Sequence, residues 1–248
     1  MKLLTRLFLS AALLSAPAYV FANSHTTTIN TNQYKTEDRH LSGFNAVDLE
    51  GSFDVFLTQG STESVRVEAP EDVIHRILTE VHDGVLKIYN RHDVGFHWGD
   101  WFGSHHKKIA VYVTVKDINS INVSGSGDIS FKEGITANTL KIRVSGSGDM
   151  VGKVNVKTLE SSVSGSGDVK LSGSADNSTV SVVGSGDFTA RNLVTINTAV
   201  RVSGSGDVDI NASNKVEASV SGSGDVHYNR GVKSVSASKS GSGDIERY

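Results

Sequence analysis

Seven carboxylates stand at the end of one repeated tetrapeptide. Gly-Ser-Gly-Asp recurs through the second half of this 248-residue chain and sets Asp128, Asp149, Asp168, Asp187, Asp207, Asp225 and Asp244 at steps of 21, 19, 19, 20, 18 and 19 residues. Carboxylates stacked in a line repel one another, and calcium, which takes oxygen ligands at ~2.3–2.6 Å, is one way to hold adjacent pairs. Solenoids whose glycine–aspartate repeats bind calcium use a nine-residue period with ligands from a turn on each side, and that arrangement is missing here. The other chemistry open to Asp and Ser is structural, because both accept hydrogen bonds from local backbone where a chain turns. Residues 121–248 carry 13 basic and 13 acidic side chains, so counter-charges are at hand. Turn chemistry is therefore the first assignment of the seven aspartates, and calcium coordination the second.

A different cluster lies between Arg91 and Lys108. It holds His92, His97, His105 and His106, with Asp93 and Asp100, and the aromatics Trp98, Trp101 and Phe102. These groups are able to ligate zinc, copper or nickel, but their spacing matches no closed structural site. Aromatic side chains anchor interfaces, so Trp98, Trp101 and Phe102 are the candidate ligand-contact residues. Their competing role is to cover one open end of the fold. Catalysis finds little support. No nucleophile elbow is present, His227 is the sole histidine after His106, and the repeats are too alike to hold the irregular polar cluster that shifts pKa values in an active site.

A period of about twenty residues means stacked structural units. In the first copy Ile121, Val123, Gly125, Gly127, Ile129 and Phe131 share one parity, while Asn122, Ser124, Ser126, Asp128 and Ser130 share the other. Such alternation predicts a strand with an apolar inner and a polar outer face. Two inward glycines let another wall approach or let the strand bend. Turn-formers fall between the copies, among them Lys132-Glu133-Gly134, Val151-Gly152 and Ser172-Gly173-Ser174. The links are too short for a crossover helix, and a propeller blade needs ~40 residues. The expected architecture is all-β, a parallel β-solenoid of seven or eight rungs. At ~4.8 Å per rung it is on the order of 35 Å long. Lys239 takes the inward position that Val holds in most other copies, which suits a closing rung.

Upstream, residues 41–120 are irregular. Leu49 to Val55 reads as a degenerate first rung with Phe53 in place of the second glycine. Strand patterns cover 49–57, Val65 and Val67, 85–89 and 109–115. From Glu71 to His82 the apolar residues Val73, Ile74, Ile77, Leu78 and Val81 fall at helical spacing, with Pro70 before and Gly84 after, which predicts one short helix. Residues 23–40 are polar and aperiodic, and are expected to be a flexible leader. Residues 1–22 read as a signal peptide. Lys2 and Arg6 precede the apolar run Leu7–Leu14, and Val20-Phe21-Ala22 is a cleavage site. Eight apolar residues are too few to span a membrane, which takes about 20. Removal of residues 1–22 leaves 22 basic against 27 acidic side chains, a net of −5, with no electrostatic footprint for nucleic acid. An exported chain without cysteine must stand on its core, not on disulfides.

Gly43-Phe44 followed by Val47, then Gly51-Ser52-Phe53-Asp54-Val55, Thr58-Gln59-Gly60 and the Gly-Ser-Gly-Asp ladder, resemble the head GIN domain family of auto-transporter adhesins over roughly residues 41–248. The resemblance implies an exported bacterial protein with a right-handed parallel β-helix-like domain. Four residues follow the last repeat aspartate, so no translocator barrel is expected within this chain. The function expected is non-enzymatic binding: adhesion or cell-envelope scaffolding in the periplasm or at the cell surface. Its partner would be an envelope or host surface component, glycan or protein, with a homo-oligomer left open. No cofactor is expected, apart from the calcium considered for the aspartates. The alternatives are a polysaccharide-active β-helix enzyme and a calcium-loaded structural rod.

Overall fold

Each repeat adds one turn to a single parallel stack, about seven turns in all. The computed structural model describes residues 33–91 and 108–248. Its strands begin with β1 (Tyr34–Asp38), β2 (Ala46–Gly51), β3 (Asp54–Gln59) and β4 (Ser64–Pro70). Next come β5 (Ile77–His82), β6 (Val85–Asn90), β7 (Ala110–Val115) and β8 (Ser120–Gly125). The long strands are β9 (Asp128–Gly146), β10 (Met150–Gly165), β11 (Val169–Gly184), β12 (Phe188–Gly204) and β13 (Val208–Gly222). The last three are β14 (Val226–Tyr228), β15 (Ser234–Gly241) and β16 (Ile245–Arg247). The fold is all-β, as expected.

From β9 to β13 each strand pairs in parallel with the next. Each is 15 to 19 residues long and bends through three sides of the stack. The first side carries the inward column Val55, Ile129, Met150, Val169, Phe188, Val208 and Val226. A short second side aligns Ile135, Val154, Gly173 and Leu193. The third side aligns Ile121, Ile142, Ser161, Val180, Val200 and Ala218. Nearly all of these side chains are fully buried in one continuous core.

The roles of strand and turn are exchanged relative to the parity reading. Gly152, Ser172 and Asn192 sit at register shifts inside long strands, whereas Gly-Ser-Gly-Asp is the break between one long strand and the next. Gly127 is buried as expected, but Gly125 is exposed, because the backbone turns there with φ +119°. Its equivalent Gly146 has φ +122°, a conformation that β-carbon-bearing residues rarely adopt. Gly148 is fixed by contact instead. A Cβ there would lie 2.1 Å from the carbonyl oxygen of Gly127, one turn below. The two glycines thus serve different needs: one to turn, the other to let two turns touch.

Two expectations upstream are corrected. The predicted helix over Glu71–His82 is a 3₁₀ turn at Ile74–Arg76 followed by β5. β5 pairs antiparallel with β6 from Ile77↔Asn90 to His82↔Val85. Asp83-Gly84 links them with φ of +51° and +76°, the mark of a tight hairpin turn whose Asp-Gly pair favours positive φ. Val73, Ile74 and Ile77 are buried from a turn and a strand start, which mimics helical spacing. The polar segment read as a flexible leader contributes β1, which pairs antiparallel with β4. Glu37 on β1 sits between Lys35 at 3.0 Å and Arg39 at 3.1 Å. Charge on such an edge discourages further strand addition. The degenerate first rung is present: Gly51 pairs with Gly125 and Asp54 with Asp128.

One inward column contains a misfit. Ser161 lies between Ile142 and Val180, is 4% exposed, and its hydroxyl has no hydrogen-bond partner. A buried hydroxyl without a partner costs about 1–3 kcal/mol. Ser161→Val, which gives this turn the same kind of side chain as its neighbours, is expected to stabilise the fold by roughly 1 kcal/mol. Thermal or urea unfolding of the variant checks this, and a lower midpoint would count against the assigned core position.

Candidate functional site

The outer surface is built from the residues whose parity turns them away from the core. At the Gly-Ser-Gly-Asp corner the backbone leaves the strand ladder, so its N–H groups need other acceptors. Ser147 and Gly148 both donate to the carbonyl of Gly125 one turn below, at 2.8 and 3.1 Å. The N–H of Met150 donates to the carbonyl of Asp168 one turn above, at 2.8 Å. The remaining donor, the N–H of Asp149, meets Oδ1 of Asp128 at 2.9 Å. The same bond joins Asp168 to Asp149, Asp187 to Asp168, Asp207 to Asp187, Asp225 to Asp207 and Asp244 to Asp225, at 2.8–2.9 Å. Each of these carboxylates therefore accepts an N–H from the following turn. Oδ1 of Asp244 receives the ammonium of Lys239 at 2.6 Å instead. This arrangement is turn chemistry, but between turns and not within one. Among the described residues no three His, Asp or Glu side chains are gathered as a metal would require.

A second polar ladder runs along the outside where the second side meets the third. Asn197 donates to the side-chain oxygen of Asn177 at 3.0 Å, and Asn214 to that of Asn197 at 2.9 Å.

Beside this ladder the third side forms a shallow trough. Thr179, Ser181, Ala199, Arg201, Glu217 and Ser219 line a concavity of about 440 Å³. Thr179 is shared with a neighbouring concavity of about 210 Å³ that includes Lys141, Arg143, Glu160 and Ser162. The trough exists because successive turns place short side chains in register, Ser162↔Ser181 and Thr179↔Ala199 among them. Arg143 and Arg201 occupy the same outward column three turns apart, or about 14 Å at ~4.8 Å per turn. Lys141 pairs with Glu160 at 3.2 Å, and Lys215 with Glu217. Towards β2 the column reaches Asp48, which lies between Lys87 and Asn122. Partial burial, with Glu50 nearby, raises its pKa above the ordinary carboxylate range despite Lys87.

The first side carries a different outward column. Arg66, Tyr112, Phe56, Ser130, Val151, Lys170, Thr189, Asp209, His227 and Glu246 follow one another in register. At one end the Arg66 guanidinium lies 4.7 Å over the Tyr112 ring, which stacks on Phe56 with centroids 5.2 Å apart. At the other, His227 reaches Asp209 at 3.2 Å and Glu246 at 3.4 Å, Arg191 bonds Asp209 at 2.9 Å, and Tyr248 lies under Arg191. Phe56 and Tyr112 are not signalled by periodicity as a contact site, because aromatics alternate in strands for many reasons. Trp98, Trp101, Phe102, His92, His97, His105, His106, Asp93 and Asp100 lie outside the described residues, in the connection from β6 to β7.

A family model described as "Putative auto-transporter adhesin, head GIN domain" matches residues 43–231. The fold is similar to a crystal structure named a putative adhesin from Bacteroides fragilis, with TM-score 0.81 and 26% identity over 88% of this chain and 98% of that one. It is also similar to a putative lipid binding protein and a putative adhesin from Parabacteroides distasonis. Each has TM-score 0.70, at 23% and 22% identity, over 88% of this chain and 98% of its own. A comparison with curated proteins finds no match. The names of the family and of these neighbours are those of adhesins and a binding protein, not of enzymes. Among the described residues no helix is long and apolar enough to cross a membrane.

Two outcomes follow from this geometry. Asp168→Ala removes the acceptor of the Asp187 N–H and is expected to cost about 1–2 kcal/mol in urea unfolding. Asp168→Asn keeps an oxygen there and should cost clearly less. A variant in which Asn is as damaging as Ala would instead implicate the charge, as bound calcium requires, and chelator would then lower the wild-type Tm. The second outcome concerns Asp48, whose folded-state pKa is raised. Its ionised form is the disfavoured one in the fold, so its contribution improves as pH falls from above the raised pKa towards the unfolded value of about 3.9. Asp48→Asn should therefore be more stable than wild type at neutral pH, with the advantage shrinking in melts recorded at falling pH.

Proposed function

From the premise that this chain belongs to the head GIN domain family, we propose that it is an exported, non-enzymatic binding protein that holds a cell-envelope or host surface component along the outside of its stack. The observation that carries this reading is the trough on the third side, where short side chains continue from turn to turn between Arg143 and Arg201. A shallow, open, repeating surface suits an extended partner such as a glycan or a protein segment, because it offers many similar contacts in place of one enclosed pocket. The adhesin names of the family and of the Bacteroides fragilis neighbour support the same direction.

The signal-like residues 1–22 support export, to the periplasm or the cell surface. Trp98, Trp101 and Phe102, on the β6–β7 connection, are proposed as additional contact residues.

The test is binding of the purified mature chain to a glycan array and to isolated envelope fractions. It uses the wild type, a Trp98→Ala/Trp101→Ala variant, and Ser181→Trp, which fills the trough. We expect retained binding to fall at least tenfold in Ser181→Trp and measurably in the double variant, with unchanged melting. Turnover of a polysaccharide by the wild type, or binding indifferent to both variants, would reject the reading.

A further inference from the structure

We propose that the outward column of the first side contains a subsite for a single saccharide ring, stacked on Phe56 above Ser130 and bounded by Val151. This deepens the adhesive reading, on which it rests, by naming a ligand class and a place.

The argument begins with the three-layer stack. Tyr112 has both ring faces covered, by the Arg66 guanidinium at 4.7 Å and by Phe56 at 5.2 Å between centroids, the rings being within 19° of parallel. Strand β3 lies between β7 and β9. The second face of Phe56 is therefore turned towards β9, where the residue in register is Ser130. A serine is too short to cover a phenyl ring, and Phe56 is 41% exposed. One turn further, Val151 is in register with Ser130 and is 38% exposed. Both apolar side chains thus flank the same gap.

The size of the gap selects the occupant. Phe56 and Val151 are two strand spacings apart, or about 9.6 Å. One ring layer with van der Waals contacts of ~3.5–4.0 Å on each side fits that distance. The surroundings select the chemistry. Asp128 and Lys132 flank Ser130 on β9, and Asp149, just before β10, and Lys153 flank Val151, all of them exposed. Oδ1 of Asp128 is committed to the Asp149 N–H, which leaves its other oxygen to accept. A ligand with an apolar C–H face and a rim of hydroxyls meets all of these groups: a ring to stack on, carboxylates to accept, and ammonium groups to donate. A flat apolar ring would leave the rim groups unused. A simple cation would meet lysines as well as carboxylates.

The experiment is saturation-transfer NMR on the folded mature chain, with methyl β-glucopyranoside, methyl β-galactopyranoside and methyl N-acetyl-β-glucosaminide as probes, and indole and choline as controls. We expect transfer to the C–H face of at least one glycoside with millimolar affinity. Phe56→Ala should lose it by tenfold or more, Phe56→Trp should retain it, and Ser130→Phe, which fills the gap, should abolish it. Phe56 and Ser130 lie outside the core, and Phe56→Trp controls for any loss of folding in Phe56→Ala. The proposal is overturned if no glycoside shows transfer, if transfer survives Phe56→Ala and Ser130→Phe, or if indole or choline binds this position in preference. Array binding that depends on Ser181 but not on Phe56 would remove this subsite and leave the adhesive reading standing.

Discussion

Everything in this fold depends on two turns of chain lying one strand spacing apart at a corner, where the ordinary strand ladder is broken. Within a strand the ladder satisfies itself. At the corner it does not, and a donor left without a partner at every turn would weaken the stack cumulatively. The aspartate side chain acts there as a surrogate carbonyl, reaching the N–H of the next turn at 2.8–2.9 Å. The glycines complete the solution, since a Cβ at Gly148 would collide with the carbonyl of Gly127. The repeated tetrapeptide is therefore one device in four residues, and its invariance along the chain follows from the invariance of the spacing.

The stack was legible in the sequence because period and parity are direct consequences of rung spacing and strand pleat. Val144, Val163, Val182, Val202 and Val220 announce their column through recurrence alone. What parity could not reveal is that the chain turns at Gly125, since a corner that preserves alternation of buried and exposed positions reads as uninterrupted strand. The segment after Pro70 misled for a related reason. Val73, Ile74 and Ile77 are spaced as on a helix, yet the Asp83-Gly84 hairpin and pairing with β6 draw Ile77–His82 into the sheet. Tertiary pairing outweighed local periodicity there.

The candidate contact surfaces were less legible. Serines and threonines of the trough look like ordinary outward positions, and only their alignment over several turns makes a concavity. The stack of Arg66, Tyr112 and Phe56 joins residues from three strands, with Tyr112 far along the chain from the other two, and no spacing rule brings them together. The upstream strands, less regular than the repeats, are therefore where the surface becomes distinctive.

The inward columns are not uniform either. Phe131 projects so far that a Cβ on Gly152, in the next turn, would lie 1.8 Å from its ring, while the equivalent position in the turn after that is Leu171. Bulk in one turn is answered by its absence in the next. Near-identical repeats run the hazard of docking out of order, each turn being a plausible neighbour for several others. Side chains matched to one neighbour alone act as a key between consecutive turns. A chain that skipped or slipped a repeat while folding would set Phe131 against Leu171, and the mismatch would reject that arrangement before the stack could grow on it.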